Sequence, residues 1–192
     1  MKLFSKVYRF YISFMCNSKK KCKYLRKKGC RIGENVVING DLSIFGTEPY
    51  LISIGRDSLI ASGVKIITHD GGVRVLNNLR CFDNERADKI APVIIGDNVY
   101  IGTNAMIMPG VTIGNNVIVG AGSIVTKDIE SNVVVAGIPA KNICSIDDYY
   151  QKNKKEFEFT VKMNYAQKKE YYQSKFFNKS RKDWTKWKNI NY

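Results

Sequence analysis

The chain of 192 residues is 44% hydrophobic and 25% charged, an ordinary globular balance with room for one sizeable domain plus appendages. Its net charge of +14 is uneven: residues 1–30 carry ten Lys/Arg and no acid, residues 151–192 carry twelve against four, and the stretch between carries nine against thirteen. A mildly acidic body with two basic ends argues against nucleic acid as the partner of the body. Five cysteines, Cys16, Cys22, Cys30, Cys81 and Cys144, contain no C-x-x-C pair and read as reduced structural thiols, not as a disulfide framework.

At the N-terminus Leu3, Val7, Tyr11 and Phe14, flanked by Phe4, Tyr8 and Met15, predict an amphipathic helix, followed by a basic segment stopped at Gly29. Lys6 and Arg9 interrupt any signal-peptide core, and no stretch approaches the roughly 18 apolar residues of a membrane span, so a cytoplasmic location is expected. Residues 1–31 are read as a helical cap.

From Ile32 an aliphatic residue returns every sixth place. A helix cannot use this period, because six residues rotate it by about 240° and scatter the aliphatics over three faces. Extended chain can, since positions i, i+4 and i+6 share one side. One strand of such length is excluded, so the chain must turn once per hexad, at Gly, Asn and Asp residues such as Gly96-Asp97-Asn98 and Gly114-Asn115-Asn116. Three hexads then close one triangular coil, and coils stack as parallel sheets with aliphatics inside.

The coils run from Ile32 to Pro49, from Ile54 to Gly71, and without interruption from Ile95 to Glu130, and "SNVVVAGIPAK" is expected to finish the last one. The first two coils both fail in their third hexad, with Glu48 and Asp70 where a small apolar residue belongs. Their excursions, a short one at residues 50–53 and a loop over 72–92, are therefore expected on one corner of the prism. Residues 32–146 form the repeat domain, and residues 147–192 a basic, aromatic helical tail opened by Ser145 as N-cap with Asp148 three places on.

These hexads, with "GDNVYIGTNAMIMPGVTIGNNVIVGAGSIVTKDI" and "VVVAGIPAK", resemble the hexapeptide-repeat acyltransferases, the group of the maltose, galactoside and xenobiotic acetyltransferases. "THDGG", the loop, the repeats and a tail starting "SIDDYYQKNKK" look most like the bacterial O-acetyltransferases encoded with capsule and surface-polysaccharide genes. The resemblance implies a mainly β chain folded as a left-handed parallel β-helix, an exception to the right-handed crossover rule. It also implies a homotrimer with active sites between subunits, where acetyl-CoA lies along the helix edges. Thin prisms gain by pairing flat faces, which agrees with a trimer.

The same resemblance makes His69, the only histidine, the general base for transfer to a sugar hydroxyl; position alone would also suit a surface turn histidine. Asp70 is a candidate to orient the imidazole, although neighbouring side chains on a strand point to opposite sides. Cys81 is not expected to act as a nucleophile, because no second histidine exists to activate it. Thr103, Ala121, Thr126, Lys127 and Lys141 match positions at which relatives contact acetyl-CoA; in the absence of that match, small corner residues serve the fold and the lysines are solvated surface. Asn39 matches an asparagine used by some sugar-acetylating relatives, or is a turn residue, and Tyr100 stands where many relatives carry tryptophan near the acceptor. The loop, which mixes Arg74, Arg80 and Arg86 with Asp83, Glu85 and Asp88, either chooses the sugar or caps a neighbouring subunit.

The expected function is O-acetyl transfer to a surface polysaccharide or its precursor, without a metal. N-acetylation of an amino-sugar nucleotide, xenobiotic acetylation and a non-catalytic repeat scaffold are the alternatives. Zinc hydratases of this fold use three histidines and do not suit a chain with one. The basic N-terminal region either caps the prism or lies on an anionic membrane. The tail's aromatics and lysines are read as a helix packing aromatics on the prism, in preference to a nucleic-acid platform.

Overall fold

A computed structural model of the chain describes Val7 and residues 11–13, 16–83 and 85–177. Most of the predicted helix from Leu3 to Met15 lies outside the described residues, although Val7 and residues 11–13 are helical, and so does the tail beyond Phe177. The chain divides into two compact units, Met1–Lys152 and Asn153–Tyr192.

The first unit is the stacked prism. Its first coil holds strands β1 (Arg31–Ile32) and β2 (Val37–Ile38), and the second holds β3 (Ile52–Ile54), β4 (Leu59–Ile60) and β5 (Lys65–Ile66). The third coil adds β6 (Val93–Ile95), β7 (Tyr100–Ile101) and β8 (Met106–Ile107), and the fourth β9 (Thr112–Ile113), β10 (Ile118–Val119) and β11 (Ile124–Val125). Equivalent strands pair in parallel into three sheets: β1-β3-β6-β9 on the first face, β2-β4-β7-β10 on the second and β5-β8-β11 on the third. The hexad aliphatics Ile54, Ile60, Ile66, Ile95, Ile101, Ile107, Ile113, Val119 and Val125 are all buried inside the prism. The coils wind left-handed.

What bends the chain is clearest at the corner between the first and second faces. There Asn35, Asp57, Asn98, Asn116 and Asn132 take left-handed backbone conformations with φ between 53° and 66°. Asn and Asp tolerate this region because their short side chains bond locally. Here they also bond between coils: Asn98 Nδ2 donates to Asn116 Oδ1 at 2.9 Å, and Asn116 Nδ2 to Asn132 Oδ1 at 2.8 Å. At the next corner a close approach requires glycine, since a Cβ on Gly102 would come within 2.5 Å of the Ala121 amide nitrogen.

Both ends of the stack depart from the hexad pattern. The third hexad of the first coil is not a strand: Leu42–Phe45 wind into a 3-10 turn that buries Leu42, Ile44 and Phe45, with the Asp41 carboxylate accepting from the Ser43 amide at 2.6 Å.

Helix α1 (Ser18–Lys27) forms from the basic segment before Gly29, and it turns Lys21, Cys22 and Leu25 inward. Its side chains supply hydrogen bonds that a missing lower coil would have made. Ser18 Oγ donates to Val36 O at 3.1 Å and accepts from the Ile38 amide at 2.8 Å. The Arg26 guanidinium reaches Ile32 O at 2.9 Å and Gly33 O at 2.6 Å, and Lys21 Nζ reaches Gly40 O at 2.7 Å.

At the other end the expectation that "SNVVVAGIPAK" completes a coil is corrected. Strand β12 (Val133–Gly137) joins β10 in parallel, but the chain then reverses at Ile138–Pro139 and β13 (Ala140–Ser145) runs back antiparallel to β12. The loop after the second coil contains a helix, α2 (Val73–Asn78). Helix α3 (Ile146–Asn153) follows β13, and Ser145 Oγ accepts from the Asp148 amide at 3.0 Å while donating to its carboxylate at 2.7 Å. Within the second unit α4 (Tyr165–Phe177) stacks Tyr172 on Phe176, its Tyr172 hydroxyl meets Thr160, and both Tyr171 and Lys175 engage Glu158.

The asparagine ladder has a measurable share in stability. Asn116→Ala should cost about 2 kcal/mol or more, because the left-handed conformation alone costs a residue with a Cβ roughly 1–2 kcal/mol and each lost hydrogen bond about 0.5–1.5 kcal/mol. Asn116→Gly should lose only the ladder bonds and cost clearly less in denaturant unfolding. Equal losses for the two variants would show that backbone conformation is not what the asparagine supplies.

Candidate active site

The two irregular hexads meet at the corner between the third and first faces, where β5, β8 and β11 end. The alternation that buries Ile66 and Thr68 turns His69 outward. In the coil below, Pro49 opens a 3-10 turn whose first carbonyl belongs to Glu48, with the Leu51 amide donating to it at 3.0 Å. This turn brings the Glu48 side chain to the same corner. Its Oε2 lies 2.9 Å from His69 Nδ1 and accepts from the Thr68 hydroxyl at 2.7 Å, while Thr47 Oγ1 donates to Oε1.

The Thr47 and Thr68 hydroxyls and His69 hold the Glu48 carboxyl down to about 2. Glu48 is therefore ionised at neutral pH and can only accept, so His69 Nδ1 carries the proton. A neutral imidazole then keeps its lone pair on Nε2, while Nδ1 is anchored. Asp70, the sequence candidate for orienting the imidazole, does something else. Its carboxylate takes the Lys89 ammonium at 2.9 Å and the Gly72 amide at 2.9 Å, which hold it below the usual carboxylate range. Asp70 thus ties the loop stem, and Glu48 is the partner of His69.

The loop is well tied. His69 and Ile90 form an antiparallel bridge, and the Asp70 amide donates to Lys89 O and the Ala91 amide to Thr68 O, both at 2.8 Å. Farther out, Asn77 clamps the returning strand by donating to Ala87 O at 2.9 Å and accepting from the Ala87 amide at 2.8 Å.

Two cavities open on either side of His69. One of about 780 Å³ lies toward the loop and is lined by Glu48, His69, Arg74, Asn77, Arg86 and Asp88 among others. The other, about 560 Å³, runs over the ends of the third-face strands and is lined by Ile67, His69, Met108, Pro109 and Thr126 with Lys89. His69 stands on the wall they share.

The remaining residues singled out from sequence lie elsewhere in a single chain. Lys127 follows Thr126 at the same corner. Thr103 and Ala121 stack in adjacent coils at the corner between the second and third faces, where the Gly122 amide donates to Thr103 O at 2.8 Å. Lys141 pairs with Ala136, whose Cβ lies 2.9 Å from where a Cβ on Gly120 would stand, so it belongs to that second corner too. Asn39 occupies the same corner in the first coil, its amide donating to Ile60 O at 3.0 Å. Tyr100 is exposed on the second face in register with Leu59 and Ile118. One chain therefore brings together His69, Thr126 and the loop, and sets Thr103, Ala121, Lys141, Asn39 and Tyr100 apart from them. Cys81 is exposed on the loop and all five cysteines are free thiols.

The carboxylate-anchored histidine thus stands at the broken corner of a stack of parallel hexad coils. Residues 92–127 match the model of the bacterial transferase hexapeptide, six repeats. The chain is 48% identical over 153 residues to Protein CapG of Staphylococcus aureus, a match covering 79% of this chain and 87% of that one. It is 43% identical over 129 residues to the galactoside O-acetyltransferase of Escherichia coli, covering 65% of this chain but only 60% of that enzyme. A solved galactoside acetyltransferase in complex with coenzyme A superposes with a TM-score of 0.53 at 28% identity, over 78% of this chain and 82% of that one. The chain belongs to the hexapeptide-repeat acyltransferase family.

The Glu48 carboxyl sets a pH signature. Its folded-state value near 2 lies below the ordinary 4.5, so the stability it contributes is full above about pH 5 and is lost as pH falls toward 2. The gap in Tm between the parent and Glu48→Gln should be widest at neutral pH and close over that window. A gap independent of pH would show that Glu48 acts by packing and not by charge.

Proposed function

We propose that the chain is an O-acetyltransferase that moves an acetyl group from acetyl-CoA directly to a sugar hydroxyl of a bacterial surface polysaccharide or its precursor. The observation that carries this reading is the Glu48–His69 pair on the wall between two cavities. One cavity is polar and loop-walled, suited to a sugar; the other, with Met108, Pro109 and Thr126, suits the pantetheine arm of a thioester donor.

His69 Nε2 takes the proton of the acceptor hydroxyl as its oxygen attacks the thioester carbonyl. Glu48 fixes the imidazole through Nδ1 and offsets the positive charge that develops on it. When the carbon–sulfur bond breaks, the same Nε2–H returns the proton to the departing sulfur, so acetyl and proton exchange places and His69 ends unchanged. No acyl-enzyme is needed, and Cys81 has no role in the transfer.

Lys127 and Lys141 have no ion pair among the described residues and are the cations for the cofactor phosphates, with Thr103, Ala121 and Thr126 along the edges. These residues occupy both edges of the third face in one chain. A homotrimer that sets the second corner of one protomer against the third corner of the next would complete each site, with Asn39 and Tyr100 on the acceptor side.

No described helix is long and apolar enough to cross a membrane. The exposed Lys19, Lys20, Lys23 and Lys27 of α1, in a stretch without acids, favour peripheral contact with an anionic membrane face where lipid-carried precursors gather.

His69→Ala should lower turnover at least about a hundredfold with the fold intact by circular dichroism; near-normal turnover would refute its role. Lys141→Glu should raise KM for acetyl-CoA with kcat little changed, and an unaltered KM would remove Lys141 from the site.

A further inference from the structure

The formal charges around the acceptor cavity balance, Arg74, Arg86 and Lys89 against Glu48, Asp70 and Asp88, but its two arginines have no partner among the described residues. Of its ionisable side chains, Glu48 is engaged by His69 and Asp70 by Lys89, each pair at 2.9 Å. Arg74, Arg86 and Asp88 remain. Neither arginine side chain makes a hydrogen bond or ion pair among the described residues, and Asp88 forms no ion pair with either. Two free guanidiniums thus share one wall with a single unpaired carboxylate.

Their placement is built by the fold. Arg74 lies on α2 three residues before Asn77, hence on the same side of the helix. Arg86 immediately precedes Ala87. The two-way clamp of Asn77 on the Ala87 backbone therefore fixes the helix and the returning strand against each other, and with them the backbone from which both exposed arginine side chains extend. The stem is fixed again by the His69–Ile90 bridge and by Lys89 on Asp70. The planar guanidinium fork matches carboxylate and phosphate oxygens two at a time.

Resting on the acetyltransferase reading above, we propose that Arg74 and Arg86 bind an anionic group of the acceptor, so that the enzyme selects an acidic sugar or a phosphate-bearing sugar over a neutral one. The shared chemistry is an oxyanion held beyond the reacting hydroxyl, either the carboxylate of a uronic acid or the diphosphate of a nucleotide-linked sugar.

Glucose, glucuronate and UDP-glucose separate these cases, each measured as acceptor with acetyl-CoA and, in parallel, as ligand to the His69→Ala protein by calorimetry, where no turnover is needed. At least one anionic probe should bind and react better than glucose, with an advantage that shrinks as salt rises. Glucuronate alone gaining would identify a carboxylate, and UDP-glucose alone a diphosphate. The pair Arg74→Gln/Arg86→Gln should raise KM for the favoured anion about tenfold or more, leaving kcat, KM for acetyl-CoA and reaction with glucose nearly unchanged. Arg74→Lys/Arg86→Lys should fall between, as a control that keeps charge but loses the fork.

Equal treatment of glucose and both anions overturns the proposal, as does a rise in KM for acetyl-CoA in place of the acceptor. Loss of the base reading would show separately, as persistent turnover in His69→Ala, and leaves the binding comparison intact.

Discussion

The molecule depends on one constraint: each coil must turn at the same places as the coil beneath it, because the inter-coil backbone hydrogen bonds join a residue to the neighbour of its equivalent, as Leu59 N–H does to Val99 O. A two-residue strand cannot persist alone. It persists here because Ile60 lies over Ile38 and under Ile101, and so on through the stack. The asparagine corner enforces this register twice, through its left-handed backbone and through side chains that bond to their own equivalents. The ends need other means, since a terminal coil has one neighbour. Below, Ser18, Lys21 and Arg26 supply the absent partners from a helix; above, the antiparallel β13 covers β12.

The site is where that constraint is relaxed. At the third corner of the first two coils, Glu48 and Asp70 stand at positions that the hexad otherwise gives to buried aliphatics such as Val111. An acid cannot enter the prism without a large cost, so the chain leaves the stack there. The two departures lie one above the other, and this stacking lets a carboxylate of one coil meet an imidazole of the next. The loss of repetition and the Glu48–His69 contact thus have the same cause.

The coils were legible in the sequence because the six-residue period is a direct image of the turn geometry, and His69 because it is a lone imidazole at the break. The Glu48–His69 contact was not, although both failed hexads were visible. The acid nearest in sequence, Asp70, competed for the role, and the choice depends on a 3-10 turn started by Pro49. A composition argument cannot order two carboxylates by direction. The hairpin was missed because "VVVAGIPAK" has strand character whichever way its second half runs. Helix α2, six residues long, falls below the length at which periodicity separates helix from loop. The parting of Thr103, Ala121 and Lys141 from His69 is likewise invisible until the faces are counted around the prism.

The site joins two kinds of scaffold. Met108 and Thr126 sit on regular coils, where position is dictated by register and a change disturbs neighbours above and below. Arg74, Asn77 and Arg86 sit on an excursion that, among the described residues, is tied to the stack at its stem, so their identities are nearly free of that register. Substitution in the loop can therefore remodel the larger cavity without moving His69, whose anchor Glu48 belongs to another coil. Under the proposed chemistry, this separates the part that handles a common donor from the part that chooses among acceptors. A stack rigid enough to hold two-residue strands can carry a variable loop, because its register does not depend on the residues that the loop displays.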